Sequence, residues 1–519
     1  MSRQYWLAAT SVLAASVLLT GCSANGGGAG GGATTDTINM ALNTDPATFD
    51  PALAKAGDDY TTARLLFDTV LRKDADNKLV GGIASSWTAK DAAHYQLAIR
   101  RDAACSDGTP ITPTVVANSL KRFSAKETGS SGRTLALGGA TATYTPDDQS
   151  GTVDITLSAK WSDFLTGLTL PQAGIVCPAG LADPKALAAG SVQGAFSGPY
   201  TLTSSQPAVS YNLTLRPDYA AWPSFAKPLD GTPAKNVILT PVTDYSTIAT
   251  QLLSGSVDIG TLADQNVDRF KDNPGFSTSS ASSVTTYLVF NERPGATFAD
   301  RPELRKAVAQ AIDPEAFSDI TTDHRGEAIL SVGSSQIACV NKDKSLLTPP
   351  DQAAARQALS GVKVRVVGTT LLGSGNEYVA EALRKAGADV TVDSLDNANW
   401  ATVTSAGGTD WDINVQGDNN VMGTLTSSLL RVMGPATENG GRNKMGLVND
   451  EGYARVNEAM GQTETGAQCD ALQSAQASFL GRVDAVPLST LPSITVAREG
   501  VSIRTFGDFL DAATMRISE

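Results

Sequence analysis

Residues 362–392 constrain the fold more than any other stretch. In VKVRVVG, the side chains of Val362, Val364 and Val366 alternate onto one face, the period of a strand with one buried side. Further on, NEYVAEALRKAG sets Val379, Ala382, Leu383 and Ala386 on one helical stripe and stops at Gly387. Ser374 and Glu377 stand at the spacing of a capping box ahead of that helix. ADVTV then alternates again. Two strands joined by a helix cannot form a tight hairpin, so the segment predicts a βαβ unit with a parallel pair.

The rest of the chain mixes the same two periods. DRPELRKAVAQAID predicts a helix capped by Asp300 and Glu303, with Pro302 in its first turn and Leu304, Val308, Ala311 and Ile312 on the buried stripe. Before it, TTYLVFN is a β-rich run ending at Asn291, and GTVDITLS alternates Val153, Ile155 and Leu157. Strand pairs with interspersed helices give an α/β or α+β architecture without a repeat of fixed period. With 519 residues, 41% of them hydrophobic, the chain has material for two or three lobes.

The N-terminus is of another kind. Trp6–Leu19 is an uncharged apolar run, shorter than the roughly 20 residues that span a bilayer but suited to an export signal. Leu19-Thr20-Gly21-Cys22 resembles a bacterial lipobox, in which the cysteine takes a diacylglycerol and becomes the mature N-terminus. The glycine-rich run after Cys22 reads as a flexible tether to about residue 36, with folding expected from Thr37. No second apolar run reaches spanning length, so the lipid is the expected membrane hold.

Several function classes are excluded. A net charge of −13 leaves no basic stripe for nucleic acid. The two histidines, His94 and His324, are isolated, and no zincin, G-x-S-x-G, Walker A or post-strand G-x-G-x-x-G motif is present. Cys105, Cys177, Cys339 and Cys469 lack C-x-x-C spacing and, in an exported protein, allow three disulfide pairings. The chain reads as a non-enzyme without cofactor or metal.

An ordered set of blocks carries a family resemblance. INMALNTDPATFDPALA at Ile38–Ala54, the turn at Ile83–Trp87, the segment ending Asp107-Gly108-Thr109-Pro110, SGPYTLTSSQ, LLSGSVDIG, LRKAVAQAIDPEAF and EALRKAGADVTVDSLDNANW follow one another as in the family 5 extracellular solute-binding proteins. These are oligopeptide-, dipeptide- and nickel-binding receptors of ABC importers, and the resemblance spans essentially the whole mature chain. It implies a two-lobe periplasmic-binding-protein-like fold (type II, cluster C-like) with an inserted subdomain and an interlobe ligand cleft. The expected parts are a signal peptide over 1–21 and a lipidated tether over 22–36. Lobe I would comprise 37–51, 182–280 and 485–519, with the inserted subdomain over 52–181 and lobe II over 281–484.

The resemblance also implies the function and the site. The chain would be a monomeric, lipid-anchored receptor outside the cytoplasmic membrane, taking peptides in the cleft and passing them to a permease with its ATPase. A blocked peptide or another small solute is the runner-up, and the sequence does not separate import from sensing. A secreted hydrolase is the reading from another class, disfavoured by the missing motifs; nickel is disfavoured by the missing ligand cluster. The cleft would be lined by Asp45, Thr48 and Phe49 after the first strand, by Tyr287 and Asn291, and by Trp400 with Gly417, Asp418, Asn419 and Asn420. Peptide-binding members often hold the α-amine with the aspartate of Gly-Trp-x-x-Asp. Aligned on Gly417, this chain has Asp418 in place of the tryptophan and Val421 in place of the aspartate, so Asp418 either takes the amine in a shifted register or belongs to a polar turn. Because a bridge between lobes would lock the hinge, the lobe division implies Cys105–Cys177 and Cys339–Cys469.

Overall fold

A computed structural model describes residues 36–55, 57–446, 449–506 and 509–518. The export signal, Cys22 and the tether lie outside the described residues. Strand β1 (Thr37–Leu42) precedes a segment with two antiparallel sheets of its own. One is the hairpin β2 (Leu71–Lys73) and β3 (Leu79–Gly81); the other joins β4 (Ala84–Asp91), β5 (His94–Ile99), β6 (Ala142–Asp147) and β7 (Thr152–Leu157) in the order β4-β5-β7-β6. There follow β8 (Tyr200–Gln206), β9 (Ser210–Leu215), β10 (Asn236–Pro241), β11 (Ile259–Leu262) and the long β12 (Phe276–Phe290). Last come β13 (Lys363–Thr369), β14 (Asp389–Leu395), β15 (Ile413–Asn419), β16 (Ala485–Arg498) and the hairpin β17 (Val501–Phe506) and β18 (Phe509–Ile517).

One ten-stranded sheet runs β14-β13-β15-β12-β16-β11-β1-β10-β9-β8 through both lobes of an α/β fold. The neighbouring strands β12 and β16 run through both. Phe276–Ala281 of β12 pairs with Ser493–Arg498 of β16, whose Ile494–Ala497 also pairs β11, whereas Val284–Val289 pairs with Ala485–Leu491 and, on the other side, with β15. Register shifts separate Ala281 from Val284 and Thr286 from Tyr287. Such irregularities bend a strand, so the crossing pair is weakest as a rigid ladder where the lobes meet. The boundary expected after residue 280 falls inside β12, and that after 484 falls just before β16.

The βαβ unit is present as read. β13 and β14 are parallel from Lys363↔Asp389 to Thr369↔Leu395, and the helix Gly375–Lys385 buries Val379, Ala382 and Leu383 between them and the core. Its cap is not the one expected. Ser374 has helical backbone angles and donates Oγ–H to Ile320 O at 3.1 Å, so it does not accept from the helix N-terminus. Asp300 likewise sits at φ +50°, outside a helix that starts at Pro302 with Arg301 as N-cap, and Arg301 Nε donates to Glu303 at 3.1 Å. In both places a neighbouring polar group competes with the cap. The disulfides are Cys105–Cys177 and Cys339–Cys469, with Cα separations of 6.0 and 4.9 Å.

Candidate functional site

β15 presents Asn414, Gln416 and Asp418 on one face, while Ile413 and Val415 fill the lobe core behind it. All three polar side chains are buried, so each needs a partner. Asn414 Nδ2 donates to Gln416 Oε1 at 3.0 Å, and Asn414 Oδ1 accepts from Trp400 Nε1 at 2.8 Å. Tyr287, opposite Gln416 on β12, donates its hydroxyl to Asp418 Oδ2 at 3.5 Å. Arg431, on the helix Leu425–Met433, brings Nε to 2.5 Å from Asp418 Oδ1, an ion pair set off the hydrogen-bonding direction.

Two more cations join this wall. Arg442 donates from one terminal nitrogen to Ser427 O and Oγ at 3.0 and 2.9 Å. Lys444 Nζ stands 3.2 Å above the centre of the Trp400 ring, a cation–π contact. Burial and then the Arg431 charge push Arg442 down to about 10 and Lys444 down to about 7. Burial, reinforced by the Asp418 charge, raises the Tyr287 hydroxyl well above its usual value.

The facing wall is also charged, but balanced. Arg72 bonds Asp68 at 3.2 Å and Asp511 on β18. Arg64 donates to Thr69 Oγ1 and Thr169 O at 3.1 and 2.7 Å, and Tyr219 donates to Asp68. Burial outweighs these partners at Asp68 and raises it to about 6. Between the walls lies a cavity of about 50 Å³, lined by Arg64, Arg72 and Phe509 on one side and by Asn420 and Gly423 on the other. A second void of about 10 Å³ separates Trp161 and Asp163 from Ser427 and Arg442. Such a void holds about one water, so a solute enters only if the walls part. Polar contacts that cross include Lys73 Nζ donating to Met422 O at 2.6 Å, Gln468 Nε2 to Ser162 Oγ at 2.9 Å and Ser162 N to Met460 O at 3.0 Å, and Asp163 bonds Thr424 and Thr426.

The residues expected to line the cleft divide. Tyr287 and Asp418 meet, and Trp400 joins them through Asn414, Gln416 and Lys444. Asp418 is in β15, not in a polar turn, and its charge is already engaged by Arg431. Gly417 is half-buried beside it, Asn419 is exposed, and Asn420 is buried, donating Nδ2 to Thr424 O at 2.8 Å and Ser428 Oγ at 3.0 Å. The others lie apart from this cluster. Asp45 accepts from Ala208 N and Tyr211 OH at 3.0 and 2.5 Å, pinning the β8–β9 turn. Thr48 accepts from Asp50 N at 3.1 Å, and Phe49 packs edge-on against Tyr211 in the core. Asn291 is fully buried, donating Nδ2 to Gly408 O and Trp411 O at 2.9 and 3.0 Å. The sequence reading missed Arg431, Arg442 and Lys444. A signal existed: within 421–446 they are accompanied by a single acidic residue, Glu438.

Comparison with known proteins places this geometry in a lineage. The profile described as bacterial extracellular solute-binding proteins, family 5 Middle, matches residues 78–436. A substrate-binding protein from Microbacterium hydrocarbonoxydans, solved in complex with 4-hydroxybenzoate hydrazide, is 40% identical over 93% of this chain and 100% of its own, with a TM-score of 0.81. The periplasmic murein peptide-binding protein MppA of Escherichia coli is 25% identical over 294 residues, 54% of this chain, and the match spans about half (53%) of that relative's length. The solved structure of the Escherichia coli murein tripeptide-binding protein MppA covers 94% of this chain and 99% of its own, with a TM-score of 0.74 at 18% identity, a likeness of fold.

Proposed function

The chain belongs to the bacterial extracellular solute-binding proteins of family 5, and on that premise we propose that it is a lipid-anchored receptor of an ABC importer. It captures a compact organic solute between its lobes and delivers it to a membrane permease. Cys22 supplies the anchor, supported by the lipobox-like Leu19–Cys22 and the glycine run behind it. The hinge reading is supported by the irregular β12–β16 crossing, with lobe I, its inserted subdomain and lobe II divided near residues 51, 181, 280 and 484. Tyr287, Trp400 and Asp418 belong to the ligand wall in this reading, together with Arg431, Arg442 and Lys444.

The observation that carries the choice of solute is the closed bonding of Asp418. Arg431 and Tyr287 already engage this buried carboxylate, so an incoming α-amine would have to displace an arginine to reach it. A solute with no free amine meets no such cost. The relative bound to 4-hydroxybenzoate hydrazide is similar over 93% of this chain, which favours a compact acyl compound. Peptide capture is the second reading, favoured by the murein peptide-binding relative. Calorimetry on the mature protein separates them: compact aromatic acyl compounds are expected to bind and free-amine tripeptides to bind weakly or not at all. Tight binding of tripeptides alone would reverse the choice.

A further inference from the structure

Resting on the reading that the cleft takes a compact solute, we infer that the wall around Asp418 is an anion subsite. Arg431 and Arg442 contact a carboxylate on the solute, and Lys444 adds its charge behind them. Among the described residues, three cations here share one carboxylate. Asp418 offsets Arg431, while Arg442 bonds the neutral Ser427 oxygens and Lys444 stands over the Trp400 ring. The acidic residue nearest in sequence, Glu438, is held by Arg293 at 3.1 and 2.8 Å. Across the small void, burial raises the pKa of the Asp163 carboxylate, which is held by the Thr424 and Thr426 hydroxyls, with the Lys73 charge a smaller influence.

This local excess stands in a chain of net charge −13, so it does not follow from a basic composition. Burying unmatched cations is unfavourable, and the strain shows in the lowered pKa values of Arg442 and Lys444. A fold that keeps such a cluster at an internal boundary gains most when an anion is seated there. The position suits it: Arg442 lines the smaller void, and the Arg431 side chain is 21% exposed. A guanidinium pair also matches the planar, two-oxygen shape of a carboxylate. The solute is therefore a small organic acid, and the charge on its acyl end is the recognised feature.

The test uses two probes with one ring, sodium 4-hydroxybenzoate and 4-hydroxybenzoate hydrazide, which differ in charge at the acyl end. In calorimetry at pH 6 the acid is expected to bind about tenfold more tightly, with the advantage shrinking as salt is raised. Arg442→Gln and Lys444→Met should each weaken the acid about tenfold while changing the hydrazide less than twofold. Melting curves of both variants confirm that they are folded. If the hydrazide matches the acid, or the variants lose both probes equally, the anion subsite is overturned and the compact-solute reading stands. A tighter acid that neither variant weakens overturns the assignment to these residues. If neither probe binds, the compact-solute reading falls and the subsite with it.

Discussion

Replacing Lys444 with methionine should stabilise the protein at neutral and acid pH. The lysine is 7% exposed, and burial with Arg431 nearby lowers it from its ordinary 10.5 to about 7. The sign follows from proton binding. Between pH 7 and 10.5 the unfolded chain holds the Lys444 proton and the folded chain does not, so stability rises with pH across that window. Below pH 7 both states are protonated and the full burden is present. Lowering from 10.5 to about 7 corresponds to roughly 5 kcal/mol. The contact with the Trp400 ring acts against that burden, which places it at about 3–5 kcal/mol. Methionine keeps an unbranched apolar stem over Trp400 without the charge. Urea unfolding of wild type and Lys444→Met at pH 6, 8 and 10, without added solute, should show the variant ahead by about 3–5 kcal/mol at pH 6 and the gap closing toward pH 10. Other groups titrate alike in both proteins and cancel in the difference. A variant less stable than wild type at pH 6, or a gap that widens with pH, would refute the reasoning.

Three further outcomes concern Asp418, Cys22 and the disulfides. Asp418→Asn leaves Arg431 without its carboxylate and should destabilise the protein by about 3 kcal/mol; any peptide binding should change equally for free-amine and N-acetylated peptides, and a selective loss for free amines in calorimetry would restore amine capture. Cys22→Ser should release the protein into the medium or leave it as uncleaved precursor, and a processed, membrane-bound mutant in fractionation would remove the anchor reading. Non-reducing peptide mapping should recover Cys105–Cys177 and Cys339–Cys469, and because these bridges close spans of 72 and 130 residues, losing either should cost roughly 4–5 kcal/mol in denaturant titration.

The parts of this fold that were legible are those decided by local periodicity. Val364 and Val366 alternate into the core, and Val379 and Leu383 share a helical stripe, because in each case one face must leave water. Caps were less legible. Ser374 and Asp300 have the right side chains at the right spacing, yet the backbone before each helix turns through positive φ, at Gly373 and at Asp300 itself, and the expected bond is not made. Family likeness put Tyr287, Trp400 and Asp418 in one neighbourhood. It also drew in Phe49 and Asn291, which the structure shows fastening the fold.

What the sequence withheld is the pairing that sets the charge of the site. Asp418 ends a strand, Arg431 lies on the next helix, and Arg442 and Lys444 follow in a loop whose path is set by tertiary packing. No period links them. Counting charges along 421–446 reveals a surplus of cations, but solvated surface arginines would count the same. The difference is burial: Asp418 is fully buried, Lys444 nearly so, and an aspartate that looks like an amine receptor in the sequence becomes the counter-ion of an arginine in space. The same chemical group thus argues for opposite ligands at the two levels. Among the described residues the three-dimensional count of partners is one carboxylate for three cations, and on that count rests the proposal that the wall attracts an acid and turns away an amine.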